Sequence, residues 1–381
     1  MAVRPMRPSD YEGVNRLYRS VGWPERSYAG WRWLEDNPAR VETGAPMGWV
    51  VVDDADAPAA VVGNLVQRFH AGGRRLHGAT GFSIVVPPSR AGVSRSLIRS
   101  VLKQPGMFAA YTFNANPRAA PLYRLFGLRP FPDRTHALKL SWRVDWLACL
   151  RGRLLRAVYG GTGADEAPRI GERLLNRRLD TAKALRLPPD IRRLADLSHG
   201  SAYAEYWRAL AAATPLLADR SPETMRWRLG DPDQTRPPLL LAQFRDGSVR
   251  GVVVAMIAKT SILEPPCLDI MDLTTLPGED DAAAALVQAL IDNARALGAA
   301  KVRLPMVSPD LLARLGPLAK RARKEGGWGH CHAWIEEEAL ATAWSPTPFD
   351  GDFSICSRPV PAETKRAARR FAAPAGRAAK A

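Results

Sequence analysis

The chain has 381 residues, too many for one ordinary hydrophobic core and enough for two. Its 46% hydrophobic content and 11 tryptophans exclude a disordered protein, and no apolar run is long enough to span a bilayer. The net charge of +16 is uneven: residues 143–193 hold 12 Arg and Lys against 6 acids, and residues 358–381 hold 7 against 1. The basicity therefore belongs mainly to a connector and a tail. Such segments can meet nucleic acid or anionic lipid, or form a solvated, Arg-rich surface. Cys149, Cys267, Cys331 and Cys356 are scattered with no C-x-x-C spacing, and the first residues carry no apolar signal core. A reduced, cytoplasmic protein is the simplest expectation.

In chain order, Val3–Met6 reads as a short edge strand. Ser9 with Glu12 forms a capping-box pattern ahead of the apolar stripe Val14, Leu17, Tyr18, Val21. The segment YAGWRWLEDNP predicts a second helix ending at Asn37-Pro38. Trp49–Asp53 and Ala59–Phe69 predict two strands around the turn DDADAP, and Gly78–Val86 a fourth strand. Residues 81–131 then predict a strand, a tight turn of small residues, a helix, a strand and a short helix stopping at Gly127. Thr135–Trp142 reads as a strand closing this first unit. Residues 143–199 predict a basic helical connector broken by GGTG and LPPD. Its periodic leucines (Leu147, Leu150, Leu154, Leu155, Leu174, Leu175, Leu179) either dock on a domain or lie at a membrane interface.

From residue 200 the pattern recurs. RWRLGDP (226–232) echoes WRWLEDNP (31–38), with Trp227 matching Trp33 and Pro232 matching Pro38. Each is followed by a strand pair, a further strand, a helix (Asp281–Leu297 in the second copy), a strand and another helix. Two weakly similar units in tandem account for this order. The expected division is 1–142, 143–199, 200–357 and a basic disordered tail, 358–381.

The turn S-R-A-G-V-S-R-S-L-I (residues 89–98) opens a helix after a strand, where unpaired first-turn amides and the helix dipole suit phosphate. Asn116, Ala119, Tyr123 and Gly127 fall on one ladder in the helix that follows. These paired segments resemble the GNAT superfamily of acyl-CoA-dependent N-acyltransferases. The resemblance implies an α/β fold of tandem GNAT-like units, with mixed, mostly antiparallel sheets flanked by helices. It also implies acetyl-CoA as the acyl donor and no metal. Gly92 stands at the first glycine of the family's [Q/R]-x-x-G-x-[G/A] pattern, with Ser89 and Ser94 departing from it.

By that resemblance, the backbone of Ile84, Val85 and Val86 orients the acyl carbonyl. Arg90, Gly92, Val93, Ser94 and Arg95 receive the phosphates, and Tyr123 protonates the departing thiolate. Asn116 belongs to the same site and suits a helix cap. No acid lies on the strand GATGFSIVV to serve as general base. Glu35, Asp36, His70 and His77 are the nearest polar alternatives.

At the matching turn of the second unit stand Glu279, Asp280 and Asp281. Their charge opposes a pyrophosphate and favours a helix N-terminus, so this unit is read as not binding CoA. His330-Cys331-His332 lacks the further ligands a metal site needs, and Asp350-Gly351-Asp352 reads as a turn. Trp31, Trp33, Trp142, Trp227 and Trp344 read mostly as core or interface aromatics, some able to line an acceptor cleft.

The expected activity is N-acetylation of a small amine. An amino sugar of polysaccharide biosynthesis is suggested by resemblance to GNAT-like proteins with W-R-W or W-R-Y helices. Two rivals stay open: a Fem-like, tRNA-dependent aminoacyl transferase and a non-catalytic interaction protein.

Overall fold

The computed structural model describes residues 2–115, 120–159, 174–176, 179–180, 183–234, 237–259, 263–326 and 330–355. Fifteen strands are described: β1 (Val3–Pro5), β2 (Gly48–Val52), β3 (Pro58–Ala71), β4 (Arg74–Val85), β5 (Ala109–Thr112), β6 (Arg129–Pro130), β7 (Leu138–Arg143), β8 (Ile191–Arg193), β9 (Leu217–Ala218), β10 (Leu239–Arg245), β11 (Ser248–Ala258), β12 (Cys267–Thr275), β13 (Lys301–Leu304), β14 (Arg323–Gly326) and β15 (His332–Ile335). They form two mixed sheets flanked by helices. The first runs β1-β2-β3-β4-β5-β15-β6, with β9 paired to β3, and the second runs β14-β7-β13-β12-β11-β10-β8. Continuous β-branched runs such as GWVVV are buried at every position of β2, as a strand covered on both faces requires.

The order of elements in the two halves is the one expected from the sequence, but two strands change places. β7, the strand expected to close the first unit, instead pairs with β13 and β14 in the second sheet. Its place beside β5 is taken by β15, which comes from the far end of the chain. The physical reason is burial. Leu140 and Trp142 of β7 enter the second core, where the Trp142 indole donates to the Leu318 carbonyl at 3.0 Å.

Other local readings need correction. Ser9 does not cap the first helix; it lies in a 3-10 turn, Pro8–Asp10, before the helix Tyr11–Ser20. Asp10 takes over the end: it accepts from the Arg7 amide at 2.7 Å and pairs with Arg4 at 2.8 Å. Asn37-Pro38 ends the helix Tyr28–Glu35 but also starts another, Pro38–Thr43, which Asn37 caps.

The W-R echo of the sequence has a structural counterpart. Ser27 caps the helix Tyr28–Glu35 and Ser221 caps the helix Pro222–Leu229, with Trp33 and Trp227 at the same offset from each cap. The two indoles stack on each other, 4.8 Å apart and 12° from parallel. Each donates to the other's backbone: Trp33 Nε1 to the Trp227 carbonyl at 2.7 Å, and Trp227 Nε1 to the Trp33 carbonyl at 2.8 Å. This reciprocal contact is the signature of a local two-fold axis between the halves.

The largest core cluster spans both halves. Phe69, Tyr111 and Phe113 of the first meet Tyr206, Met225 and Met271 of the second, together with Trp344 and Phe353 near the end of the described chain. The final segment is fixed by buried arginines. Arg220 pairs with Asp350 and Asp272, both at 2.7 Å. Arg228 donates to the carbonyls of Phe349 and Gly351, and Arg26 to that of Ile355 at 2.6 Å.

Candidate functional site

β4 and β5 are parallel neighbours only over Gly78–Thr80 and Ala109–Tyr111. Beyond this pairing β4 continues as Gly81–Val85 along β3, and its other edge faces a wedge between the strands. A bulge sharpens the divergence. The β3–β4 register shifts between Val61 and Gly63, and Ser83 adopts φ +47°, a conformation most non-glycine residues avoid. A bulge of this kind re-aims a strand's backbone groups, and it lies just before Ile84–Val86, the residues expected to face the acyl group.

At the outer end of this edge the chain makes a 3-10 turn, Pro88–Val93, and enters the helix Ser94–Leu102. Leu97 and Val101 bury one side of that helix, with Ile84, Val86 and Val93 packed against them. Val93, at its N-cap, makes no side-chain hydrogen bond. Gly92 is exposed, and a Cβ added there would meet nothing within 4 Å. Arg95 is exposed and Arg90 half-buried. The turn thus places Gly92, the start of a helix and the exposed Arg95 at the surface, a combination suited to an anion.

On the far side of the wedge the helix Ala120–Leu125 carries Tyr123, and Gly127 at φ +85° ends it as expected. Asn116, expected in this site, lies outside the described residues. Tyr123 is hydrogen-bonded with Thr112 of β5, and burial pushes its phenol up to about 12, with the charge of Asp352 acting in the same direction. Its ring lies 6.5 Å from that of His332, 20° from parallel. His332 sits on the exchanged strand β15, opposite Thr112. Burial lowers its pKa to about 4, helped by Arg124 and His136, so the imidazole is neutral at physiological pH.

The strand exchange therefore brings His332 to Tyr123, and the final turn holds the buried Asp352 near enough for its charge to act on the phenol; sequence reasoning placed neither in the site. The earlier alternatives for a base lie elsewhere. His70 and His77 flank the β3–β4 hairpin, at the other end of these strands, within 3.5 Å of Asp219 and Glu42 respectively. Glu35 pairs with Arg32 at 2.6 Å, and Asp36 ends a helix.

The second half repeats the wedge in altered form. β12 and β13 pair in parallel only over Cys267–Asp269 and Lys301–Arg303, and β12 shifts register against β11 beside Met271. Here the buried Asp272 of β12 accepts from Arg220 at 2.7 Å and from Thr347 at 2.7 Å. Glu279 precedes the helix Asp280–Ala294, and Arg245 pairs with Glu279 at 2.6 Å and Asp281 at 3.2 Å. Asp350 closes a capping box with Thr347, the turn expected of D-G-D. Among the described residues, no group of three His, Cys, Asp or Glu side chains is placed to hold a metal, and no helix is long and apolar enough to cross a membrane. The five tryptophans considered for an acceptor cleft all pack in cores or in the Trp33–Trp227 stack.

No protein-family model matches the chain, and no curated protein matches its sequence. Solved structures do match its fold. A GCN5-related N-acetyltransferase from Anabaena variabilis ATCC 29413 superposes with a TM-score of 0.51 at 15% identity, over 89% of this chain and 74% of that one. A probable N-acyltransferase from Enterococcus faecalis V583 superposes with a TM-score of 0.50 at 12% identity, over 88% and 73%. The chain has the GNAT fold, built twice in tandem.

Proposed function

We propose that this protein is an acyl-CoA-dependent N-acyltransferase whose donor site is the wedge between β4 and β5. The observation that carries the proposal is the bulged, open edge of β4, which leads from the Pro88–Ser94 turn toward Tyr123. An acyl-CoA would lay its pantetheine along that edge, with its pyrophosphate at the turn beside Arg90 and Arg95. Acetyl-CoA is the donor proposed first. The acceptor is a small amine. An amino sugar is the finer proposal, and it rests on the resemblance of the W-R-W helix alone. In this reading residues 1–142 supply the donor site, and the 200–357 unit lends it His332 and Asp352.

The reaction balances with these groups. The amine nitrogen attacks the thioester carbonyl, the C–N bond forms, and the C–S bond breaks. Asp352 accepts the proton lost by nitrogen, and Tyr123 gives its proton to sulfur. The two steps reinforce each other. The Asp352 charge holds the Tyr123 proton at rest; once Asp352 is protonated that hold disappears, and Tyr123 becomes the stronger acid.

The test is calorimetric titration with acetyl-CoA, followed by product assay over amino sugars, nucleotide amino sugars and polyamines. Binding to the wild type and its loss in Gly92→Glu are expected. That side chain has room in the fold, and its carboxylate repels the pyrophosphate. No binding to the wild type, or unchanged binding in Gly92→Glu, would refute the site.

A further inference from the structure

The helix Trp146–Tyr159 follows β7 and leads out of the second sheet. Its inner side is tightly held. A Cβ on Gly152 would lie 2.8 Å from the Pro265 ring, and Arg156 pairs with Glu264 at 2.5 Å. At its start the amides of Val144 and Asp145 donate to the Ala300 carbonyl at 2.9 and 3.0 Å. The helix is therefore a fixed part of the surface.

Its outer side is apolar. Trp146, Leu150, Leu154 and Val158 recur every four residues and are 65%, 42%, 56% and 65% exposed, with Leu147 beside them. At about 100° per residue these side chains share one stripe roughly 120° wide. Arg151 and Arg153, both exposed, border it on either side, and residues 146–159 contain no acid. A helix of this length is about 21 Å long, too short to cross a bilayer but suited to lie along one.

We propose that this stripe is a docking surface for an anionic lipid bilayer. The charge pattern selects this occupant. Apolar side chains would enter the acyl boundary while the bordering arginines reach phosphate groups, the arrangement of an interfacial helix. The +16 net charge draws the whole molecule to a negative surface. A second copy of the chain would set these arginines against their equivalents, and nucleic acid would leave the apolar stripe exposed to water.

The test is flotation of the full chain with phosphatidylcholine vesicles, with and without about a third phosphatidylglycerol. The protein should float with the anionic vesicles and much less with the neutral ones. Leu150→Asp/Leu154→Asp should lower partitioning on the order of tenfold with an unchanged melting temperature, because both side chains are exposed. Arg151→Glu/Arg153→Glu should lower binding to anionic vesicles by a similar factor. Failure of the wild type to float would overturn the proposal. So would undiminished binding in both variants, which would assign the binding to another basic segment. A dimer by light scattering that Leu150→Asp/Leu154→Asp dissociates, without vesicle binding, would assign the stripe to a second copy.

Discussion

Tyr123 sits in the short helix Ala120–Leu125, beside Thr112 and His332 and within the influence of the Asp352 charge. Tyr123→Phe keeps the ring and its packing. Acetyl-CoA binding should stay near normal, while turnover falls by about 10²-fold, the scale of lost general-acid catalysis. Full activity in the folded variant would remove Tyr123 from the mechanism. Asp352→Asn should also slow turnover. It should bring the Tyr123 phenol down from about 12 toward its ordinary value near 10, measured by ultraviolet titration against Tyr123→Phe. An unmoved titration would show that Asp352 does not act on Tyr123. The buried histidines set an acid limit on stability. His332 and His330 are lowered to about 4 and about 3, chiefly by burial, with Arg124 and His136 acting on the first and Lys139, His136 and His332 on the second. The unfolded chain binds protons at these sites from about pH 6.5 downward, while the folded one does not. Their contribution to stability is present above about pH 6.5 and is lost as the pH falls toward 4. The denaturation midpoint of His332→Phe should depend less on pH across that window than the wild type's.

The Thr347–Ile355 segment is the element that joins the two wedges. It begins against β12, where Thr347 and Asp350 complete the Arg220–Asp272 network. It ends beside Leu65 and Phe82, under the first sheet. Burial works against the Arg220 charge, but Asp272 and Asp350 more than offset it. Arg220→Met would leave two buried carboxylates without their cation. The expected cost is about 3–5 kcal/mol in chemical denaturation. A loss below about 1 kcal/mol would mean that the network does not hold the segment. Because the segment carries Asp352, the same variant should impair turnover while leaving the Pro88–Ser94 turn intact.

At the scale of the molecule, the halves are joined by exchanged strands and by the Trp33–Trp227 pair. Each sheet needs a strand that the other half's sequence carries, so the two should unfold together. Near- and far-ultraviolet signals should report one coincident transition. A double-mutant cycle of Trp33→Phe and Trp227→Phe should give a coupling of about 0.5–1.5 kcal/mol from the indole stacking, because the two hydrogen bonds go to backbone carbonyls and their losses add. Strictly additive effects, or two separate transitions, would show that the halves are independent.

What the sequence alone determined was local. The alternation and β-branching of 48–85, the small-residue turn at 88–94, the glycine stop at 127 and the acidic helix start at 279–281 each depend on neighbours within a few residues. The W-R echo was legible because repeats keep their caps and their order. The link of His332 and Asp352 to Tyr123 was not, because both come from segments more than 200 residues further along the chain. Nothing near β5 in the chain marks His332 as its neighbour, and D-G-D reads as a turn whether or not Asp352 faces a tyrosine. The fate of β7 had the same cause. Its apolar pattern suits either sheet, and only the packing of Trp142 into the second core decides between them. The connector leucines divided likewise: Leu175 and Leu179 found a core, while Leu150 and Leu154 stayed on the surface because Gly152 turns the other side of their helix inward.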